Sequence, residues 1–268
     1  MMRRGGVVLC LWLAAPVAAE QPFDDLARAM RLDEVVAILR DEGLGYGATL
    51  DAEFLGGSGG AFFTAQVDRI YAPDRMQAAL SGALADHLDT EQAAAATAFF
   101  RTETGQAILT LENSARRAFA DDGIEEMALE RAERAGEDDT RLRQVAAYVA
   151  ANDLVGQNVK GAISADFQFY RGLSDGQDLD RDDGAVLASL LEARDETEAE
   201  TRRWVMGFLY FAYAPLEDAQ MQANIDFSQS AAGQALNAAL FDGFDRLYGE
   251  ISYDLGRAVG FALKASDI

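Results

Sequence analysis

LDTEQAAAATAFFRTETGQAILTLENSARRAFA, residues Leu88 to Ala120, and LEDAQMQANIDFSQSAAGQALNAALFDGFDRLY, residues Leu216 to Tyr248, are two versions of one segment. Gly105 and Gly233 stand 128 positions apart, and that offset aligns the whole stretch without a gap. Leu88, Gln92, Ala95, Phe99, Gly105, Gln106 and Ala107 recur as Leu216, Gln220, Ala223, Phe227, Gly233, Gln234 and Ala235; Thr102 recurs as Ser230, which keeps the hydroxyl. A constant offset marks a repeated structural unit. Apolar residues within each copy recur at helical spacing, so the predicted fold is all-α, a multi-helix bundle built from two related halves. The first half is expected over residues 20–123 and the second over 142–268. A charged stretch at 124–141, containing AERAGEDDTR, reads as a linker or an exposed helix.

Composition agrees with this. Half the residues are apolar, so a sizeable core is expected and disorder is not. Alanine is abundant and β-branched residues never form long runs, which favours helix. About ten helices are expected. Two regions read as breaks: the glycine-rich GLGYGATLDAEFLGGSGG from Gly43 to Gly60, and the acidic SDGQDLDRDDG from Ser174 to Gly184. Between Ala185 and Tyr213 one long helix is expected, ending in the apolar WVMGFLYFAY.

The opening MMRRGGVVLCLWLAAPVAAE has the layout of a secretory signal peptide. Arg3 and Arg4 precede the apolar run Val7 to Ala15, and Val17-Ala18-Ala19 offers small residues for cleavage near Ala19. The run falls short of the roughly 20 residues that cross a bilayer. The expectation is a soluble mature chain in the periplasm or secreted, without a transmembrane span. Cys10 is the only cysteine, so the mature chain would carry no disulfide, thiolate metal site or cysteine nucleophile.

The chain has 45 Asp and Glu against 23 Lys and Arg. That balance repels phosphate and argues against nucleic acid as a partner. In the repeat, Phe99, Thr102, Gly105 and Gln106, with Phe227, Ser230, Gly233 and Gln234, read as structural. A phenylalanine would sit in the core, a hydroxyl would bond local backbone, and glycine would permit a break or a close crossing. A phenylalanine, a hydroxyl residue three on, then glycine and glutamine resembles the bacterial family called domain of unknown function 2059. MRLDEVVAILRDEGLGYG, from Met30 to Gly47, also resembles the start of its members. The resemblance implies an exported, mainly helical protein and carries no catalytic residues.

Three stretches bear on chemistry. Asp178, Asp180 and Asp182 alternate as the early ligands of a calcium loop do, but glycine and glutamate miss their EF-hand positions. GLGYGA lacks the GK[ST] triplet and the preceding strand of a phosphate loop. Glu112, beside Asn113 and Ser114, is the residue on which a carboxylate-dependent cell-wall glycan hydrolase would rest. His87, the only histidine, has no counterpart in the second copy, where Pro215 aligns. The preferred reading is a non-catalytic module, without a cofactor, for an envelope partner or ligand. The calcium loop and the hydrolase are its alternatives.

Overall fold

The computed structural model describes residues 21–136 and 138–266. The signal-peptide reading lies outside them. Every regular element among the described residues is a helix. The first series comprises α1 (Gln21–Ala29), α2 (Leu32–Leu55), α3 (Gly60–Ile70), α4 (Pro73–His87), α5 (Thr90–Phe100), α6 (Glu103–Ala118) and α7 (Asp122–Arg134). The second comprises α8 (Thr140–Ala151), α9 (Leu154–Gln177), α10 (Asp183–Glu192), α11 (Arg194–Ala212), α12 (Asp218–Gln229) and α13 (Ala231–Ser266).

The two series run parallel beyond the segment that the sequence aligns, with the single helix α13 standing where the first series has α6 and α7. α2 and α9 are each 24 residues long. Each begins after a non-glycine residue in left-handed conformation, Arg31 (φ 54°) or Asp153 (φ 48°), and ends at another left-handed residue, Gly56 or Asp178. Arg31 and Asp153 stand 122 positions apart, as do Gly56 and Asp178. α11 has 19 residues where α4 has 15, and after this pair the offset becomes 128. Asp89 with Gln92, and Glu217 with Gln220, form capping boxes on α5 and α12.

The same local logic joins the next helix in both series. Thr102 Oγ1 accepts from the Gly105 amide at 3.0 Å, and Ser230 Oγ from the Gly233 amide at 3.1 Å. Such caps satisfy amides that a helix start leaves open. The Gln106 amide donates to Phe100 O and Ala29 O; the Gln234 amide donates to Ser228 O and Ala151 O. Phe99 and Phe227 stack face to face, with centroids 4.1 Å apart and planes 3° from parallel. The two motifs therefore meet each other.

Phe99, Thr102 and Gly105 lie across a break, because the chain leaves α5 after Phe100 and turns at Thr102 into α6. Gly105 allows that turn to close: a Cβ there would lie 2.4 Å from Phe99 O and 2.6 Å from Phe100 Cα. Gly105→Leu is expected to cost about 3 kcal/mol, the upper end of an overpacking penalty, because the obstacle is backbone. A thermal melt equal to wild type would remove this account of the glycine.

The glycine-rich stretch breaks only at its end, where Gly56 and Gly57 adopt positive φ between α2 and α3. α2 runs through its first part to Leu55, where a Cβ at Gly43 would meet the Tyr71 ring at 2.2 Å and one at Gly47 would meet Val67 at 2.4 Å. Glycine here lets α3 lie against α2. The acidic stretch is helical as far as Gln177, and the expected long helix divides at Ala193 into α10 and α11. The charged stretch contains α7, which packs on α11.

The halves share their cores. One cluster joins Leu50, Val67 and Leu80 to Leu247, Ile251 and Leu255. A second joins Leu26, Leu84 and Ala96 to Leu236 and Ala239. A third joins Ile108 and Ala115 to Val145, Leu209, Tyr213 and Met221. Each series also lends its end to the other, since α13 packs on α4 while α7 packs on α11.

Candidate functional site

The residues first weighed as calcium ligands have separate duties. Asp178 ends α9 in left-handed conformation and forms an ion pair with Lys264. Asp182 caps α10, its Oδ1 accepting from the Ala185 amide at 3.0 Å. Asp180 is exposed. Among the described residues no group of three or more His, Cys, Asp or Glu is arranged to hold a metal ion. His87 lies at the end of α4, with Nε2 3.0 Å from Asp242 Oδ2. GLGYGA belongs to α2.

The unusual chemistry is at Glu112. It projects from α6 into contact with α8, α11 and α12, where its carboxylate accepts a hydrogen bond from the Tyr213 hydroxyl. Tyr213 follows the last residue of α11 and is wholly buried. Asn224, 4% exposed, places Nδ2 3.4 Å from the same hydroxyl. Tyr148 meets Tyr213 edge-on, with ring centroids 5.7 Å apart. No Lys, Arg or His stands within ion-pair distance of Glu112 among the described residues. The nearest candidate by sequence, Arg116, is turned to Glu42 at 2.7 Å.

Burial without a counter-charge raises the Glu112 carboxyl above its usual range, and the Tyr213 hydrogen bond only partly opposes this. Burial likewise pushes Tyr148 and Tyr213 above the ordinary tyrosine value, helped by the negative charge of Glu112. Beside this network lies a cavity of about 120 Å³. Glu112, Tyr148, Asn152, Asn224, Ser228 and Asn237 contribute its polar wall, and Phe227 of the stacked pair borders it.

The two series meet at this cavity. At the offset of 122, Tyr148 corresponds to Leu26 and Asn152 to Met30. At the offset of 128, Asn224 corresponds to Ala96, Ser228 to Phe100, Asn237 to Leu109 and Glu112 to Leu240. Met30, Phe100, Leu109 and Leu240 line the same cavity, so its wall is polar where one member of each such pair stands and apolar where the other does. Two of the amides also serve the fold at the end of α8, Asn152 bonding Tyr148 O and Asn237 bonding Asn152 O.

The sequence flagged Glu112 only for its neighbours Asn113 and Ser114, which line no part of the cavity. The informative signal lay in the mismatches of the repeat, a glutamate against Leu240 and an asparagine against Ala96.

Tyrosine burial extends beyond the site. Tyr71 and Tyr248, like Tyr148 and Tyr213, are raised chiefly by desolvation. Above the ordinary tyrosine value, about 10, an unfolded chain loses phenolic protons that the folded chain keeps. The folded state then binds more protons, so stability falls as pH rises. An alkaline ultraviolet titration is expected to show these phenols ionising together with loss of helix. Smooth ionisation in a chain that stays helical would contradict the burial.

Residues 74–134 match the model of a family described as an uncharacterized protein conserved in bacteria (DUF2059). The match spans α4 to α7 and includes Glu112. The chain matches no curated protein and no solved structure.

Proposed function

We propose that this chain is an exported, non-catalytic helical binding protein whose ligand site is the cavity around Glu112. The observation that carries the reading is a cavity where the two series meet, with Glu112, Tyr148, Asn152, Asn224, Ser228 and Asn237 in its wall and no basic side chain among its lining residues. Burying polar groups and a carboxylate costs stability unless they are paired. A ligand that completes their pairing gives a reason to keep them. The position also fits, since small-molecule sites favour junctions between packed units. We read the two series as copies of one ancestral unit: the shared offsets, paired caps and paired left-handed residues support this. The leader-like opening supports export, and the periplasm is the proposed location.

The hydrolase alternative draws on the same carboxyl, because a raised glutamate suits a general acid. The cavity argues the other way. It is smaller than the roughly 300–1,000 Å³ typical of sites for drug-sized ligands, and Glu112 is the sole acid in its wall. A glycan cleft needs an open groove and, in most families, a second carboxylate. The calcium alternative has the capping and ion-pairing duties of Asp178 and Asp182 against it.

The test is a thermal-shift screen of the mature protein against small polar molecules, run beside Glu112→Leu. Ligands that raise the wild-type melting temperature and leave the variant unmoved are expected. Release of soluble muropeptides from sacculi by wild type, abolished in the variant, would establish the hydrolase instead.

A further inference from the structure

The geometry points to a small organic cation, a primary or methylated ammonium, as the ligand of the Glu112 cavity. This rests on the reading of that cavity as a binding site.

Each wall amide commits one N–H to the protein. Asn152 Nδ2 donates to Tyr148 O at 3.0 Å, and Asn237 Nδ2 donates to Asn152 O at 3.1 Å. Asn224 Nδ2 is turned to the Tyr213 hydroxyl at 3.4 Å. The Tyr213 hydroxyl donates to Glu112. The amide carbonyls, the second N–H of each amide and the Tyr148 and Ser228 hydroxyls leave the wall with both acceptors and donors, so hydrogen bonding alone does not select the ligand.

Charge narrows the choice. Glu112 is a carboxylate with a single neutral donor, and no basic side chain lies within ion-pair distance among the described residues. A neutral donor would satisfy oxygens but leave the negative charge of the ionised carboxylate uncompensated. An ammonium does both, and a charge-assisted hydrogen bond is about twice as strong as a neutral one. The Tyr148 ring in the wall adds electron-rich surface of the kind that holds ammonium groups. The formal charge of −22 favours the arrival of cations. The volume sets the size. A cavity of about 120 Å³ suits a ligand of a few heavy atoms.

The experiment is isothermal titration of the mature protein with methylammonium and trimethylammonium. Acetamide serves as a neutral donor and acetate as an anion. Wild type is expected to bind at least one ammonium and to reject acetate. Glu112→Gln, which retains an acceptor for Tyr213, is expected to keep its helical spectrum and lose about 10–100-fold in affinity. Equal ammonium affinity in wild type and Glu112→Gln would overturn the inference. Acetamide bound by wild type and lost in Glu112→Leu, with neither ammonium bound, would also overturn it while leaving the cavity as a site. If none of the four binds, the cation and the small-ligand reading of the cavity both fall.

Discussion

Gly256→Leu is expected to lower stability by about 3 kcal/mol or more, which for a chain of this size lowers the melting temperature by about 6 °C or more. α9 and α13 cross backbone to backbone. A Cβ at Gly256 would lie 2.1 Å from Phe169 O, and one at Gly172 would lie 2.0 Å from Tyr253 O. Gly176 and Gly260 continue the crossing one turn on, with would-be contacts of 2.5 Å to Arg257 O and Leu173 O. Carbonyl groups of two long helices cannot swing aside as a flexible side chain could. A leucine must part the helices along their length, and the core that joins Leu50 and Val67 to Leu255 opens with them. Gly249→Leu is the control on the same helix, because its nearest neighbour is the Gln168 side chain at 3.8 Å. Equal urea midpoints for the two variants would refute the close-crossing account.

Tyr213→Ala is the second large effect, at about 3–5 kcal/mol. The ring is wholly buried against Tyr148, and the third core cluster closes around it. Truncation leaves a void and removes the single hydrogen-bond donor to Glu112. Tyr213→Phe separates the two causes, because it keeps the ring and deletes the hydroxyl. Its expected cost is about 1–3 kcal/mol, the range for a buried polar group left without its partner. If phenylalanine costs as much as alanine, the hydroxyl network and not the ring holds this region together.

Much of the architecture was legible from periodicity and from the repeat. Phe99 and Phe227 could be matched from sequence because both copies retain them at one offset, and the structure brings the two rings into contact. The repeat was visible only from Leu88 onward, because the chain changes register between α4 and α11 and earlier pairs share little identity. Arg31 and Asp153 show this well: they adopt the same left-handed conformation with unlike side chains. Glycine misled in both directions. Gly43 and Gly47 read as loop residues, yet they sit inside α2 where Tyr71 and Val67 press closest. Gly172, Gly176, Gly256 and Gly260 drew no notice, although they set the distance between the two long helices. Whether a glycine breaks a helix or admits a neighbour depends on tertiary contacts that local sequence does not carry.

The candidate site was hidden for a related reason. A repeat is recognised by what it conserves, and this site consists of what it does not. Tyr148, Asn152, Asn224 and Asn237 come from three different helices and their caps, and only the fold assembles them around Glu112. The alternating aspartates Asp178, Asp180 and Asp182 are legible in the sequence because their spacing is local.

The central claim is that the polar cluster is kept for a ligand at the expense of the fold. Urea unfolding of Glu112→Gln against wild type, without ligand and across pH, tests it most directly. The folded state raises the Glu112 carboxyl, so between its ordinary range and that raised value the folded chain binds the extra proton. Wild-type stability therefore declines as pH rises through that window, and glutamine, which does not titrate, escapes the decline. The account predicts a higher urea midpoint for Glu112→Gln at mildly alkaline pH, with the gap closing as pH falls to about 4, the ordinary carboxylate range. A variant clearly less stable than wild type at alkaline pH would show that the ionised carboxylate supports the fold, and would contradict the claim.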